Sequence, residues 1–236
     1  MDIDAGMLPP RVSGRRLESG VLTWERRLAL LGSNLGLAAR VGFEQGMYSL
    51  THINVHFQNV ALELTRLGQF LRANGVAVRS AVDVGCGDGA ITVRLRDLLG
   101  LPSIAGVERN RSLADLARER GVSVIEADME RMCAPVRYDL VICYGSLHHS
   151  ASMERFVRTL AALTSRYVLI IDNTVRNTGL HRFTGSAWFP LELSPYRIRT
   201  RDEIAGALQR GLALVAVETF RNANIWHDRS FFLASC

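Results

Sequence analysis

At 236 residues and 48% hydrophobic composition, the chain is long enough for one α/β domain with an extension and apolar enough for a buried core. Its 28 basic residues are all arginine against 23 acids, a formal charge of +5, and the absence of lysine excludes Schiff-base and P-loop mechanisms. That charge permits nucleic-acid binding without requiring it. The four cysteines, Cys86, Cys133, Cys143 and Cys236, show no C-x-x-C spacing and read as reduced thiols with no zinc site.

The opening stretch MDIDAGMLPPRV carries two acids and no long apolar run, so neither a secretory leader nor a membrane span is expected, and the expected location is cytoplasmic. Residues 1–14 read as a loose arm. Leu28, Leu31, Leu35 and Ala38 repeat at helical spacing, with Gly32, Gly36 and Gly42 as interruptions. A stronger helix follows, in which Ile53, Phe57, Val60, Leu64, Leu67 and Leu71 draw one apolar stripe, and Asn74-Gly75 closes it. His52 and His56 share a face of it, but no third ligand lies near them in sequence, and no metal is expected.

The stretch from Ser80 to Ala90, SAVDVGCGDGA, organises the rest. Ala81, Val82 and Val84 predict a strand; Gly85, Gly87 and Gly89 follow at alternate positions, before a helical pattern from Ile91 to Leu99. A strand, a glycine turn and a helix start bring backbone N–H groups to a nucleotide-like ligand at the positive end of the helix. Gly85, Gly87 and Ala90 also fit the spacing of a dinucleotide turn, so that spacing alone leaves NAD open. The carboxylate of Asp83, two residues before the first glycine, would repel a pyrophosphate and attract a cation. S-adenosylmethionine meets that demand, since it carries an ammonium and a sulfonium and no phosphate.

A second strand, Ser103 to Val107, ends at Glu108, 23 residues after Gly85, where a Rossmann-type unit presents an acid to ribose hydroxyls. A helix over Ser112 to Arg120 leads to a third strand, Val122 to Glu126, which runs into Asp128 and Met129; that acid lies outside the dinucleotide fingerprint. A fourth strand, Tyr138 to Cys143, leads into Tyr144-Gly-Ser-Leu-His148-His149, and a helix over Met153 to Leu163 precedes a fifth strand, Tyr167 to Ile171. Thr200-Arg-Asp-Glu203 reads as a capping box. Two late strands near Leu212 to Thr219 and Ser230 to Ala234 are close enough for a hairpin, so the last strand should be antiparallel. The alternation predicts a doubly wound, mostly parallel seven-stranded sheet with helices on both faces.

From Ser80 to Cys236 the chain resembles the class I S-adenosylmethionine-dependent methyltransferases: VDVGCGDG, VERN, EADM and DLVICYGSLHH occur in that family's order and spacing. The resemblance implies that residues 80–236 form the cofactor-binding core and that residues 1–79 form a helical extension covering the active site. It implies that Gly85 and Gly87 contact the methionine part of the cofactor and that Glu108 meets the ribose, with Asp83, Cys86 and Arg109 also among the cofactor-binding residues. Asp128 and Met129 would meet the adenine, Tyr144 would sit near the reactive methyl, and Tyr48 and His52 would close over the cofactor.

Methyl transfer from a sulfonium is an in-line displacement, so alignment of the acceptor supplies most of the acceleration. His148 and His149 are the candidates for a general base where the acceptor is a hydroxyl or a protonated amine. The long irregular segment from Asn173 reads as a substrate wall; between Asn173 and Arg201 it holds five arginines and one acid. Arg182 and Arg197 would hold an anionic group and Trp188 and Phe189 an aromatic or apolar body. The run Cys143-Tyr-Gly-Ser lacks the Asn/Asp-Pro-Pro-Tyr of base amino-methylases and the Pro-Cys of cytosine C5 methylases, so nucleic acid is disfavoured as partner. A small-molecule acceptor is the leading reading, with RNA methylation and a non-catalytic cofactor-binding scaffold as alternatives.

Overall fold

The structure, a computed structural model, describes residues 60, 62–132, 136–175, 197–221 and 228–236. Helix α1 runs over 62–73 and stops at the expected cap: Gly75 takes φ 63°, and the Val76 N–H donates back to the Leu71 carbonyl at 3.0 Å. Then come β1 (Ala81–Val84), α2 (Ala90–Leu99), β2 (Ala105–Glu108), α3 (Arg111–Glu119), β3 (Ser123–Glu126) and β4 (Tyr138–Tyr144). A single 3-10 turn, Leu147–His149, separates β4 from α4 (Met153–Leu163). The chain finishes with β5 (Thr164–Val175), β6 (Arg199–Thr200), α5 (Arg201–Gln209), β7 (Ala213–Arg221) and β8 (Asp228–Ser235).

The main path of the sheet is β3-β2-β1-β4-β5-β8-β7, parallel as far as β5, with β8 antiparallel to both β5 and β7. This is the mostly parallel seven-stranded sheet with an antiparallel last strand that the sequence predicts. An eighth strand, the two-residue β6, pairs with the far end of β5. The order reverses between β1 and β4, and it is outside the carboxyl ends of such neighbours that open α/β sheets bind ligands.

Period-two alternation assigns each strand residue to one of two apolar layers. Val82, Val141, Cys143, Val168, Ile170 and Phe232 pack with Phe156, Leu160, Ile204 and Leu208 of α4 and α5. Their neighbours Ala81, Leu140, Ile142, Leu169, Ile171 and Phe231 pack with Leu67, Phe70 and Leu71 of α1 and Leu95 of α2. The apolar stripe of α1 thus belongs to the core, with Val60, Leu67 and Leu71 buried; Ile53 and Phe57 lie outside the described residues. The capping box of α5 forms as expected, with the Thr200 and Glu203 side chains each taking the other's backbone N–H.

One boundary differs from expectation. β5 begins at Thr164, directly after Leu163, and not at Tyr167. Thr164 is both the last cap of α4 and the first strand residue, since φ −94° and ψ 144° are already extended. No glycine or proline marks the junction, because the chain changes conformation without a turn. β5 also runs on to Val175, so Asn173 belongs to a strand and not to the irregular segment expected to start there.

Candidate active site

The glycine turn follows β1 at the sheet's switch point. Gly85, Gly87 and Gly89 all have positive φ, at 80°, 55° and 78°. The Gly85 and Cys86 N–H groups both donate to the Val107 carbonyl, at 2.8 and 3.0 Å, tying the turn to the end of β2. The N-cap of α2, Gly89, supplies no side-chain cap, and the carboxylate of Asp88 takes the Ala90 N–H at 3.2 Å.

Two of these glycines differ in what surrounds them. A Cβ on Gly85 would meet the Ser146 Cβ at 2.5 Å, because the Ser146 hydroxyl donates to the Val84 carbonyl at 2.6 Å and pulls the end of β4 against the turn. A Cβ on Gly87 would meet none of the described residues within 4 Å, which leaves room on that side of the turn. Gly85→Ala should therefore cost about 2–4 kcal/mol of stability, from strained φ and overpacking together. Gly87→Ala should cost about 1 kcal/mol. Denaturant midpoints check this, and equal losses at the two positions would contradict it.

Glu108, at the end of β2, accepts the Gly87 N–H on one carboxylate oxygen at 3.1 Å and the Asn110 N–H on the other at 2.8 Å. It braces the turn and keeps lone pairs for further donors. Arg109 beside it is exposed. Asp128 follows β3 and accepts the Glu130 N–H at 2.9 Å. The Met129 sulfur lies 4.0 Å from where a Gly85 Cβ would stand, which brings the third strand's end to the same turn. Cys86 is buried, and burial first, then the charges of Asp83 and Glu108, push its thiol up.

Asp83 is itself buried in β1, where Oδ2 accepts the Thr92 hydroxyl at 2.6 Å and Oδ1 has no hydrogen-bond partner among the described residues. Burial drives its pKa up to about 7, Glu108 adds to this, and Thr92 and the Tyr144 N–H oppose it. Near neutral pH this carboxyl therefore holds its proton more readily than an exposed one, and a cation beside it would favour the charged form.

His148 sits in the 3-10 turn after β4, and Asp172 in the adjacent β5. Their side chains meet at 2.7 Å between Nδ1 and Oδ1, both buried. Oδ2 of Asp172 takes the His148 backbone N–H at 3.2 Å, and Oδ1 takes the Asn173 N–H at 2.7 Å. Burial alone would raise the Asp172 pKa, but His148, then Arg229 and the Asn173 N–H, bring it down to about 2. The carboxylate fixes which ring nitrogen carries the proton, leaving Nε2 as the basic atom. His149 lies against His148, ring centroids 4.2 Å apart. Neither histidine caps α4, whose N-cap is Ser152.

The turn is held from outside by arginines. Buried Arg199 donates to the Leu147 carbonyl from Nη1 and to the Ser150 carbonyl from Nη2, each at 3.0 Å. The Arg197 N–H donates to the His148 carbonyl at 2.8 Å, while its guanidinium is exposed and 3.7 Å from Glu203. Tyr144 is buried, and its ring stacks under the Arg229 guanidinium at 4.8 Å. Arg229 in turn donates from Nε to Glu63 of α1 at 2.6 Å, both side chains buried.

Asp83, Gly85, Gly87, Glu108, Asp128, Met129, Tyr144 and His148 thus meet at one edge of the sheet. Tyr48, His52, Arg182, Trp188 and Phe189 lie outside the described residues. Sequence reading missed Asp172, Arg199, Arg229, Glu63 and Ser146; only Asp172, at a strand end next to β4, carried a usable signal. Among the described residues no three His, Cys, Asp or Glu side chains converge as a metal site requires, and no helix is long and apolar enough to cross a membrane.

Among the described residues the site fits S-adenosylmethionine: open space beside Gly87, an acid at the carboxyl end of β2 and a buried carboxylate oxygen without a hydrogen-bond partner to face a cation. Comparison with known proteins agrees. A family model described as a methyltransferase domain matches residues 81–166. A trans-aconitate 2-methyltransferase of Acidovorax sp. (strain JS42) is 27% identical over 175 residues, which is 66% of this chain and 62% of that protein. The chain therefore spans less than two thirds of the length of the curated relatives it matches. Among solved structures, the magnesium protoporphyrin IX methyltransferase of Synechocystis PCC 6803 superposes with a TM-score of 0.59 at 16% identity, over 89% of this chain and 98% of that one. The geranyl diphosphate C-methyltransferase of Streptomyces coelicolor A3(2) gives 0.56 at 14% identity, over 75% and 84%. The family match at the glycine turn and the strand order around it agree on one conclusion: residues 81–166 match a methyltransferase domain, set in the sheet those solved methyltransferases share.

Proposed function

We propose that the protein methylates a small-molecule acceptor that carries a carboxylate, with S-adenosylmethionine as the methyl donor and His148 as general base. The observation that carries this reading is the His148–Asp172 pair beside the glycine turn: a buried imidazole held by a carboxylate has a use where a proton must leave the acceptor. The donor supplies an activated methyl whose bonding electrons return to sulfur. The chain does the rest: Gly85, Gly87, Glu108, Asp128 and Met129 position the donor, and Nε2 of His148 takes the proton from an acceptor hydroxyl or ammonium as that atom bonds to carbon. Asp172 stabilises the imidazolium so formed, and Arg199 keeps the turn in place. The anionic character of the acceptor is supported by the arginine surplus from Asn173 to Arg201 and by the 27% identical relatives, which are named for a carboxylic acid.

The test is transfer of labelled methyl groups to a panel of small hydroxy and amino carboxylic acids, with bulk tRNA as competitor, at low and high salt. The expected result is transfer to at least one acid, little affected by salt. Transfer to tRNA alone, falling steeply with salt, would replace this reading with RNA methylation. Binding of the cofactor without transfer to either class would favour a scaffold.

A further inference from the structure

The long segment after β5 is where the sequence places anion recognition; the buried part of the site holds a better candidate. Arg229 is the second residue of β8, opposite Asn173 of β5 and at the same end of the sheet as the glycine turn. It is fully buried, its Nε is committed to Glu63, and its face lies on the Tyr144 ring. Both terminal nitrogens, Nη1 and Nη2, are buried and, among the described residues, have no hydrogen-bond partner.

A buried guanidinium with its terminal edge unpaired is costly, because those N–H groups have left water without a replacement acceptor. The stacking on Tyr144 and the Glu63 contact account for its position but satisfy neither terminal nitrogen. Residue 145 does not crowd the edge: a Cβ on Gly145 would stand 3.9 Å from Nη2, and Gly145 has none. Gly145 lies between Tyr144 and the His148 turn, so this edge adjoins the His148–Asp172 pair along the chain.

We infer that the Nη1–Nη2 edge of Arg229 is the anchor for the acceptor's carboxylate, an inference that rests on the methyltransferase reading above. Two parallel N–H groups match a planar pair of oxygens. Charge selects a monoanion over a phosphate dianion, since Glu63 pairs with Arg229 and the Asp172 carboxylate also acts on it. Arg229 is then a binding residue and Glu63 a positioning residue that aims it.

The experiment uses the full chain saturated with S-adenosylhomocysteine and compares melting temperatures in acetate, benzoate, citrate and phosphate against chloride at equal ionic strength. Arg229→Gln strands Glu63, so the double variant Glu63→Gln/Arg229→Gln, which keeps the pair neutral, serves as the second protein. At least one carboxylate should raise the wild-type melting temperature by about 3 °C at ten times its Kd, exceed phosphate, and leave the double variant unmoved. No shift with any carboxylate, a larger shift with phosphate, or the same shift in the double variant overturns the inference. S-adenosylhomocysteine binding, measured on the same samples, reports separately on the methyltransferase reading: its loss in the wild type sinks that reading, while its retention with no carboxylate response sinks only the role of Arg229.

Discussion

Replacing Asp172 by Asn should lower kcat by about 10²-fold or more while S-adenosylhomocysteine affinity changes little. The carboxylate accepts at 2.7 Å from His148 Nδ1 and is buried with it, so no water can take over its charge when it is lost. Asn keeps the shape but removes the charge that stabilises the imidazolium, and its amide can turn a donor toward Nδ1, moving the basic lone pair to the wrong side of the ring. His148→Ala should lose about as much, and the double variant scarcely more, because the two act as a unit. Single-turnover rates with an identified acceptor decide it. Unchanged rate in Asp172→Asn, or an equal loss of cofactor affinity, would assign the pair to structure alone. The same pair sets an acid limit on stability. A folded pKa of about 2, below the unfolded value of 3.8, means the contribution is present above that value and is lost as pH falls through 2. It is worth about 2 kcal/mol.

Asp83 should act in the opposite sense and more strongly. Its folded pKa of about 7 lies above the unfolded 3.8, so the folded state holds the proton more tightly. The stability this gives is present in full below pH 4 and is lost as pH rises through 7, about 4 kcal/mol in all. Asp83→Asn, which mimics the protonated form, should abolish that decline, and denaturation at several pH values between 4 and 8 measures it. A cation beside Oδ1 restores the charged form, so cofactor binding near pH 7 should release a proton. Calorimetry in two buffers of different ionisation heat would show the release in wild type and not in Asp83→Asn. A stability profile identical in the two proteins would contradict the assignment.

Most of the fold was legible because it is written in local patterns. The strand-glycine-helix stretch, the capping box at Thr200 and the cap at Gly75 each follow from neighbouring residues, and period-two alternation sorted the strands. The half of the site supplied by strand ends was legible for the same reason. What was not legible depends on contacts across the chain. Glu63 and Arg229 are 166 residues apart in sequence and each reads alone as a surface charge. Asp172 and His148 are separated by 24 residues and meet because β4 and β5 are neighbours. Arg199 reads as one more arginine in a basic stretch, yet it is buried and holds the carbonyls on either side of His148. The abrupt passage from α4 to β5 at Thr164 had no turn residue to announce it.

The most direct test of the central claim is calorimetric titration of the wild-type protein with S-adenosylhomocysteine and, separately, with NAD, repeated on Gly87→Val. Expected are saturable single-site binding of S-adenosylhomocysteine, no response to NAD, and affinity at least about tenfold weaker in Gly87→Val, where a branched side chain fills the space the described residues leave beside the turn. Saturable NAD binding with no response to S-adenosylhomocysteine would contradict it.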